Sequence, residues 1–227
     1  MKNRFYTPIA VLTSVFLLSV FSFSCKRDKT PTPLSPALTV TDADGNVYQT
    51  VVIGTQTWTT ENLKTTKYND GTPISNVTDG AVWNTLNTAA YCWYNNDIAN
   101  KPTTGALYNY YVATDAKIAP VGWHVPTEAE WQTLVDYLGG DAIAGGKLKE
   151  VNGTSWLGPN TGATNESKFS ARAGGRRIGI PFEFLGTRGG FWTSTNSGIY
   201  SLFNDQSALT TSQHPPQYGY SIRLIKD

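Results

Sequence analysis

The sequence is poor in the residues that most often carry out chemistry. Its 227 residues include two cysteines, two histidines and one methionine. Zinc sites need several cysteine or histidine ligands at characteristic spacings, and His124, His214 and the two cysteines show no such spacing. The sequence therefore predicts no metal site.

An excess of charge of one sign is missing as well. The 18 lysines and arginines are balanced by 17 aspartates and glutamates, so the formal net charge is +1, and the basic residues are scattered. A domain that binds nucleic acid carries a basic patch on its surface. We therefore expect no nucleic-acid partner.

Long internal repeats are also missing. No repeat of about 20 to 50 residues is visible, which argues against a solenoid or a propeller. Aromatic residues are abundant instead, at 12% of the sequence, so tryptophan and tyrosine must fill much of the interior. Glycine and proline are spread along the chain, which is typical of a loop-rich β or α+β domain.

The N-terminus has the pattern of a secretory signal. Lys2 and Arg4 precede an apolar run, residues 9–23, that is shorter than the roughly 20 residues of a membrane-spanning helix. The run ends in Ser-Phe-Ser before Cys25, which resembles the lipobox of bacterial lipoproteins, where cleavage exposes the cysteine for acylation. We predict a signal peptide over residues 1–24 and a lipid that includes palmitate on Cys25. An ordinary secretory signal is the alternative.

A lipid on Cys25 makes the membrane the partner of the N-terminus. Each buried methylene contributes about 0.8 kcal/mol, so several acyl chains hold a protein on a membrane essentially permanently. The expected location is the outer membrane of a bacterial envelope, with exposure at the cell surface left open. Residues 26–36 carry three prolines and little to bury, so we predict a lipidated, proline-rich tether over 25–37 and one domain over 38–227.

The clearest local structure predicted is a helix that begins after Thr127. Thr127 and Glu130 form the Thr-x-x-Glu pattern of a capping box, and Glu128 adds negative charge to the first turn. Two glycines after residue 138 give a left-handed stop. The apolar face that follows at helical spacing consists of Trp131, Leu134, Val135 and Leu138. A second short helix is predicted to start at Gly145.

Strands are predicted at residues 38–41 and 47–53, joined by a turn, with a third beginning at Gln56. The turn at residues 42–46 resembles the opening of a calcium loop, but it lacks the glycine and glutamate that an EF-hand requires. We therefore favour a simple turn and predict no cofactor, because calcium has no supporting motif. A closing strand at residues 218–225 should alternate between buried and exposed side chains.

Two segments carry candidate ligand-binding residues. An aromatic run that ends in amides and a carboxylate could stack on a sugar ring and bind its hydroxyls, although core aromatics followed by a turn are the alternative. Clustered guanidiniums could grip a carboxylate or sulfate, although solvated arginines beside a turn are the alternative. The candidates are Trp93, Tyr94, Asn95, Asn96, Asp97, Arg176 and Arg177.

The sequence contains one candidate pair for nucleophilic catalysis, Cys92 with His124. His124 precedes the helix between apolar neighbours, where a hydrogen-bonded structural role is favoured over a catalytic one. Cys92 is flanked by aromatic residues and resembles a small buried hydrophobe. Glu128 and Glu130 lie two residues apart on the helix, so they point to different faces and cannot act as an acid and base pair.

Seven segments, in order along residues 42–227, resemble the Fibrobacter succinogenes major paralogous domain. This resemblance implies a secreted or lipid-anchored bacterial protein, and it brings no established activity. The matching segments are residues 53–63, 91–97, 105–109, 122–131, 145–149, 191–195 and 219–223.

The segment at residues 126–131 also resembles the formylglycine-generating enzyme superfamily. This implies an α+β fold that is a variant of the C-type lectin fold, with short antiparallel sheets, one or two short helices and long loops. That superfamily oxidises a cysteine with a pair of thiols, whereas this mature domain retains Cys92 alone. Sugar-binding lectins of this fold use a Glu-Pro-Asn or Gln-Pro-Asp calcium motif, and neither is present.

Two functions follow from these patterns. The first is a non-catalytic surface module that binds a glycan or a protein through the loops at residues 95–97 and 156–167. The second is an enzyme of lectin-like fold that acts through His124 and Cys92. The absence of a convergent set of titratable residues in the sequence favours the first.

Overall fold

The computed structural model describes residues 1–3 and 38–227. The predicted signal peptide beyond its first three residues, Cys25 and the tether up to residue 37 lie outside the described residues. Across the described ranges, no helix is both long enough and apolar enough to span a membrane.

The described domain is α+β, as expected. Its strands are β1 (Thr39–Thr41), β2 (Val47–Ile53), β3 (Gln56–Thr59), β4 (Ser75–Asn76), β5 (Ala90–Cys92), β6 (Leu107–Tyr108), β7 (Trp123–His124), β8 (Gly174–Arg177), β9 (Phe182–Leu185), β10 (Arg188–Trp192), β11 (Gly198–Phe203), β12 (Leu209–Gln213) and β13 (Ile225–Lys226). Its α-helices are α1 (Gly80–Asn84), α2 (Lys101–Thr104), α3 (Tyr110–Ala113), α4 (Glu128–Tyr137) and α5 (Asp141–Leu148).

The strands form three small sheets. The first has the order β1-β2-β3-β13-β7, the second β12-β11-β10-β8-β9 and the third β4-β5-β6. Strand pairs are antiparallel except for β8 with β10 and β4 with β5. Because β13 lies between β3 and β7, the last strand of the chain completes a sheet that the first strands began.

The N-terminal hairpin forms as the sequence predicted. β1 and β2 pair antiparallel, and β2 continues into β3 through a second tight turn. Between β1 and β2, one oxygen of the buried Asp42 carboxylate accepts hydrogen bonds from the amides of Asp44 and Asn46, and the other accepts from the Tyr48 hydroxyl. Asp42 is thus occupied by the turn itself, which fits a turn rather than a calcium loop.

Helix α4 begins with the predicted capping box. The Thr127 hydroxyl accepts from the Glu130 amide, and the Glu130 carboxylate accepts from the Thr127 amide. Gly139 has the positive φ of 100° that a left-handed stop requires. The apolar face is buried as predicted, and it consists of Trp131, Leu134, Val135 and Leu138.

Helix α5 begins at Asp141, so the prediction of a helix that starts at Gly145 is wrong. The glycines lie inside the helix, where glycine is normally unfavourable by about 1 kcal/mol relative to alanine. A Cβ on Gly146 would lie 2.3 Å from the carbonyl oxygen of Gly162, and one on Gly145 would lie 2.7 Å from that of Ser207. Close backbone approach therefore explains both glycines.

The predicted alternation of residues 218–225 is wrong. Residues 219–225 are all buried, including Ser221 and Arg223, and only Ile225 belongs to a strand. The segment runs through the interior and forms isolated bridges to three elements, joining Gly219 to β8, Tyr220 to β6 and Ser221 to β10. Both of its faces are therefore covered, and polar side chains must find partners inside.

Aromatic side chains fill the interior, as the composition predicted. Trp131 stacks on Tyr200, with ring centroids 5.0 Å apart and planes 12° from parallel. Trp58 and Phe169 complete this cluster at 5.0 and 5.6 Å from Trp131. The cluster fixes α4 against the second sheet.

Candidate functional site

The structure places the two aromatic candidates of the first segment in the core. Trp93 is 4% exposed and Tyr94 is 7% exposed. Trp93 packs edge to face on Tyr91 at 5.3 Å, and Tyr94 lies 5.3 Å from Phe182. We therefore correct the prediction that Trp93 and Tyr94 stack on a sugar, because their ring faces are already used for packing.

The polar candidates of that segment remain at the surface. Asn95 and Asn96 are exposed and adopt positive φ of 53° and 58°, which asparagine tolerates better than most residues. Asn96 donates to the carbonyl of Thr78 at 3.0 Å, and the Asp97 carboxylate caps the next turn through the Ala99 amide at 2.9 Å. These side chains shape a turn, and Asn95 is the most available of the three.

Arg177 is fully buried, so both sequence-based accounts of it, as a ligand-gripping or a solvated arginine, are wrong. Its three nitrogens donate to the carbonyls of Val77, Thr78 and Gly179 at 2.7 to 2.9 Å. The guanidinium also lies 4.4 Å from the ring centroid of Trp83. Arg177 therefore ties β8 to an otherwise irregular segment, and its complete burial leaves no access for a ligand.

Arg176, the neighbouring candidate, is partly buried and paired. Its Nε and Nη2 donate to one Glu183 carboxylate oxygen at 3.0 and 2.7 Å. Burial alone would lower the pKa of Arg176, but hydrogen bonds to Tyr220 and Glu183 raise it. Arg176 thus stays charged, with its charge largely compensated.

His124 has the hydrogen-bonded structural role that the sequence favoured. Its Nδ1 lies 2.6 Å from an Asp227 carboxylate oxygen and its Nε2 lies 2.8 Å from Glu130 Oε1. Burial alone would lower the pKa of His124, but the two carboxylates outweigh burial and raise it. With both ring nitrogens donating to carboxylates, the imidazolium form is favoured, and it has no nitrogen left to accept a proton.

Cys92 is buried in β5, on a different sheet from His124 in β7. Its thiol belongs to an apolar cluster with Trp83 and Leu107. Burial raises the pKa of Cys92 to about 11, against the opposing effect of the nearby Arg177. The thiolate form that a nucleophile needs is therefore strongly disfavoured.

A large open cleft lies at the start of α4, where no ligand-binding residue was predicted. Its volume is about 600 Å³. The floor is Tyr200, whose hydroxyl donates to the Glu128 carbonyl at 3.1 Å. Most of the lining side chains carry a hydroxyl, an amide or a carboxylate: Thr127, Glu128, Ala129, Gln132, Thr195, Asn196, Tyr200 and Thr211.

Several polar groups in the cleft keep free hydrogen-bonding capacity. Asn196 donates one bond to Glu128 Oε2 at 3.2 Å, and the Thr195 hydroxyl accepts from the Glu128 amide at 3.1 Å. Thr211 is exposed and makes no side-chain hydrogen bond within the described residues. The remaining lone pairs and hydroxyl hydrogens face the open space, which suits a polar, hydroxylated ligand.

The cleft joins segments that lie far apart in sequence. The start of α4 meets the β10–β11 turn at Thr195 and Asn196, and β12 contributes Thr211. Asn196 and Ser197 have positive φ of 56° and 49°, which marks a tight turn at this place. Among the described residues, no group of three or more His, Cys, Asp or Glu side chains is arranged to hold a metal ion.

Comparison of the sequence with known proteins identifies the family of the chain. The Fibrobacter succinogenes major domain model matches residues 51–226, which is most of the chain. A search of curated proteins found no match, and a search of solved structures found none either. The family match agrees with the motifs found in order along the sequence, so the chain belongs to the Fibrobacter succinogenes major domain family.

Proposed function

We propose that this protein is a non-catalytic lipoprotein of the bacterial envelope whose cleft at the start of α4 binds a glycan. The observation that carries this proposal is the lining of the cleft, in which hydroxyl, amide and carboxylate groups surround an open space. Glycans offer many hydroxyl donors and acceptors and little charge, so they match such a surface. A protein ligand at the same cleft is the alternative.

The state of the titratable residues supports binding over catalysis. His124 has both nitrogens engaged by carboxylates, and Cys92 is enclosed with a raised pKa. A nucleophile and its base must lie within hydrogen-bonding reach of each other, whereas these two residues sit on separate sheets. The alternative function, an enzyme that uses His124 and Cys92, therefore receives no support from the geometry.

We further propose that the fold is a variant of the C-type lectin fold. Short, mostly antiparallel sheets, two helices of eight and ten residues, and the pairing of β13 with β3 and β7 support this assignment. A lectin-like scaffold presents its long loops for recognition, which suits the proposed glycan binding. Fold alone does not define the ligand.

Glycan-array binding of residues 26–227, with calcium and with a chelator, tests the ligand. The variant Thr211→Trp should fill the cleft and abolish binding, whereas Thr133→Trp, on an exposed position of α4 outside the cleft, should leave it unchanged. Binding that survives Thr211→Trp, or the absence of any glycan binding by the unaltered protein, would overturn the proposal.

The lipid anchor is tested separately in cells. We expect labelled palmitate to attach to the full chain and to be lost in Cys25→Ser, which should then be released from the membrane fraction. Equal labelling of both proteins would refute a lipid on Cys25 without affecting the glycan proposal.

A further inference from the structure

Among the described residues, four cationic side chains are buried, and in three of them every nitrogen donates a hydrogen bond within the protein. Lys149 donates to the carbonyls of Thr161, Phe203 and Gln206 at 2.8 to 2.9 Å. Each nitrogen of Arg177 donates to a carbonyl, as described above. The nitrogens of Arg223 donate to the Asn62 side chain and to the carbonyls of Thr59, Phe169 and Ser170.

Arg188, the fourth, differs from these three. It is 8% exposed, and its Nε and Nη2 share a single acceptor, Ser201 Oγ, at 3.2 and 2.7 Å. Within the described part of the chain, Nη1 has no hydrogen-bond partner, and no carboxylate lies within salt-bridge distance. In residues 38–227, the fully enclosed side-chain atoms without a partner are Trp131 Nε1 and Asn160 Oδ1, so Nη1 of Arg188 is not enclosed.

Aromatic rings surround Arg188, and the one carboxylate with an electrostatic effect on it, that of Glu183, is paired with Arg176. Its guanidinium lies 5.4 Å from the ring centroid of Phe203 and 5.5 Å from that of Tyr220. The Tyr220 hydroxyl lies 3.4 Å from both Arg176 Nη1 and His214 Nδ1. Burial and then the charges of Arg188 and Arg176 lower the pKa of His214 to about 4, so the histidine is neutral at pH 7.

This arginine face is separate from the cleft. Ser201 pairs across the sheet with Thr210, while Tyr200 of the cleft floor pairs with Thr211. Because successive side chains of a strand point to opposite faces, Ser201 and Thr210 lie on the face opposite to the cleft. Thr210 is exposed, so a ligand can reach this face beside Arg188.

We propose that the arginine face, defined by Arg188, Ser201, Phe203, Thr210 and Tyr220, is a second site that binds the carboxylate of an acidic sugar residue in a glycan. A guanidinium without a salt bridge attracts a carboxylate, and its unpartnered Nη1 can donate to one of the carboxylate oxygens. The half-buried ring of Phe203 and the exposed hydroxyl of Thr210 supply an apolar surface and a polar partner for a sugar ring.

The charge distribution favours an acidic sugar over a polyanion. Glu183 already compensates Arg176, so the face offers one positive charge rather than a patch. Nucleic acids and other polyphosphates bind to clusters of basic residues. A single carboxylate on an otherwise hydroxylated ring matches one unpaired arginine beside hydroxyl groups.

The test uses the full chain in detergent micelles and, as the probe, a trisaccharide that carries one galacturonic acid residue. Titration calorimetry should show binding of the acid that weakens by about 10-fold or more for its methyl ester, because the ester removes the charge and one acceptor oxygen. A peptide containing a single glutamate serves as the second probe and should bind more weakly than the trisaccharide.

Matched variants at Thr210 supply a control that does not disturb the buried arginine. Thr210→Glu places a competing carboxylate beside Arg188 and should reduce binding of the acid by about 10-fold or more. Thr210→Gln matches the size of the glutamate without its charge, so it should weaken binding much less than Thr210→Glu does. Arg188→Gln should abolish binding, with the thermal transition measured alongside to show that the variant folds.

The outcomes separate this site from the cleft. Thr211→Trp should leave binding of the acid unchanged while it abolishes glycan binding in the cleft. Equal binding of acid and ester, equal effects of the two Thr210 variants, or tighter binding of the glutamate peptide would each overturn the assignment of an acidic sugar to the arginine face.

Discussion

Replacing Glu130 by glutamine tests how strongly one carboxylate holds the start of α4 to the C-terminus. Its carboxylate accepts hydrogen bonds from the Thr127 amide, the Thr127 hydroxyl and His124 Nε2, all at 2.8 Å. Glu128, in the same first turn, instead accepts from the exposed Asn196 at 3.2 Å. Both substitutions remove a negative charge from the helix start, so Glu128→Gln controls for the helix dipole.

The expected cost follows from these contacts. A hydrogen bond to a charged group contributes about 1.5–3 kcal/mol, and glutamine can still accept the bond from the Thr127 amide. The His124 and Glu130 side chains are 33% and 31% exposed, so solvent screens their attraction. We therefore expect Glu130→Gln to lower the free energy of unfolding by about 1–2 kcal/mol near pH 5.5, and Glu128→Gln by about 0.5 kcal/mol.

The pKa shifts of His124 and Glu130 determine how their stabilising interaction depends on pH. The pKa of His124 is raised in the folded protein, so its ion pairs stabilise fully below its ordinary value of 6.5 and are lost as pH rises through the folded value. The pKa of Glu130 is lowered, because the hydrogen bonds from Thr127 and His124 outweigh the opposing effect of burial. Its contribution is therefore present above 4.5 and lost as pH falls. The two shifts together place the strongest pairing between pH 4.5 and 6.5.

Urea denaturation followed by tryptophan fluorescence, at pH 5.5 and pH 8.5, measures the effect on residues 26–227. For a domain of this size, a loss of 1 kcal/mol also lowers the melting temperature by about 2–4 °C. The gap between Glu130→Gln and the unaltered protein should shrink at pH 8.5. A gap that stays constant or grows with pH, or an equal loss in Glu128→Gln, would refute the role assigned to His124 and Glu130.

Three further substitutions or reactions test other parts of the molecule. Lys149→Met leaves three carbonyls without their donor and should cost about 2–4 kcal/mol, with faster proteolysis in the loop at residues 156–167. Cys92 should react slowly with Ellman's reagent in the folded domain of residues 26–227 and at once in urea; rapid reaction of the folded protein would contradict its burial. Gly146→Ala should lower the melting temperature, because the new Cβ would lie 2.3 Å from a carbonyl oxygen. This clash should outweigh the helix propensity of alanine, which is about 1 kcal/mol more favourable than that of glycine. Ala142→Gly, at an exposed position of the same helix, measures the difference in helix propensity alone.

Arg176, Arg177 and Arg188 differ in their hydrogen-bond partners in ways that the sequence does not reveal. The adjacent pair, Arg176 and Arg177, suggests an anion site because its charges cluster. In the structure, Arg177 donates to three carbonyls and Arg176 pairs with Glu183. Arg188 stands alone in the sequence between Thr187 and Gly189, with no motif around it. Its unpaired nitrogen is visible only once its neighbours are known.

Local sequence determined the elements whose causes are local. The capping box of Thr127 and Glu130, the apolar face of α4 and the turn at residues 42–46 form as predicted, because each depends on residues within about one or two turns of chain. Motifs in order along the chain also identified the family, which the match over residues 51–226 confirms.

Tertiary structure decided the rest, because burial depends on what packs from elsewhere in the chain. The aromatic run at Trp93 has the same composition whether its rings face water or the core, and only the packing of Phe182 and Tyr91 against it settles the choice. Arg223 lies in the segment predicted to be an alternating closing strand, yet acceptors more than 50 residues away in sequence enclose it. The cleft at α4 likewise exists only where three distant segments meet, since a concave surface is a property of assembled elements and has no counterpart in the order of residues.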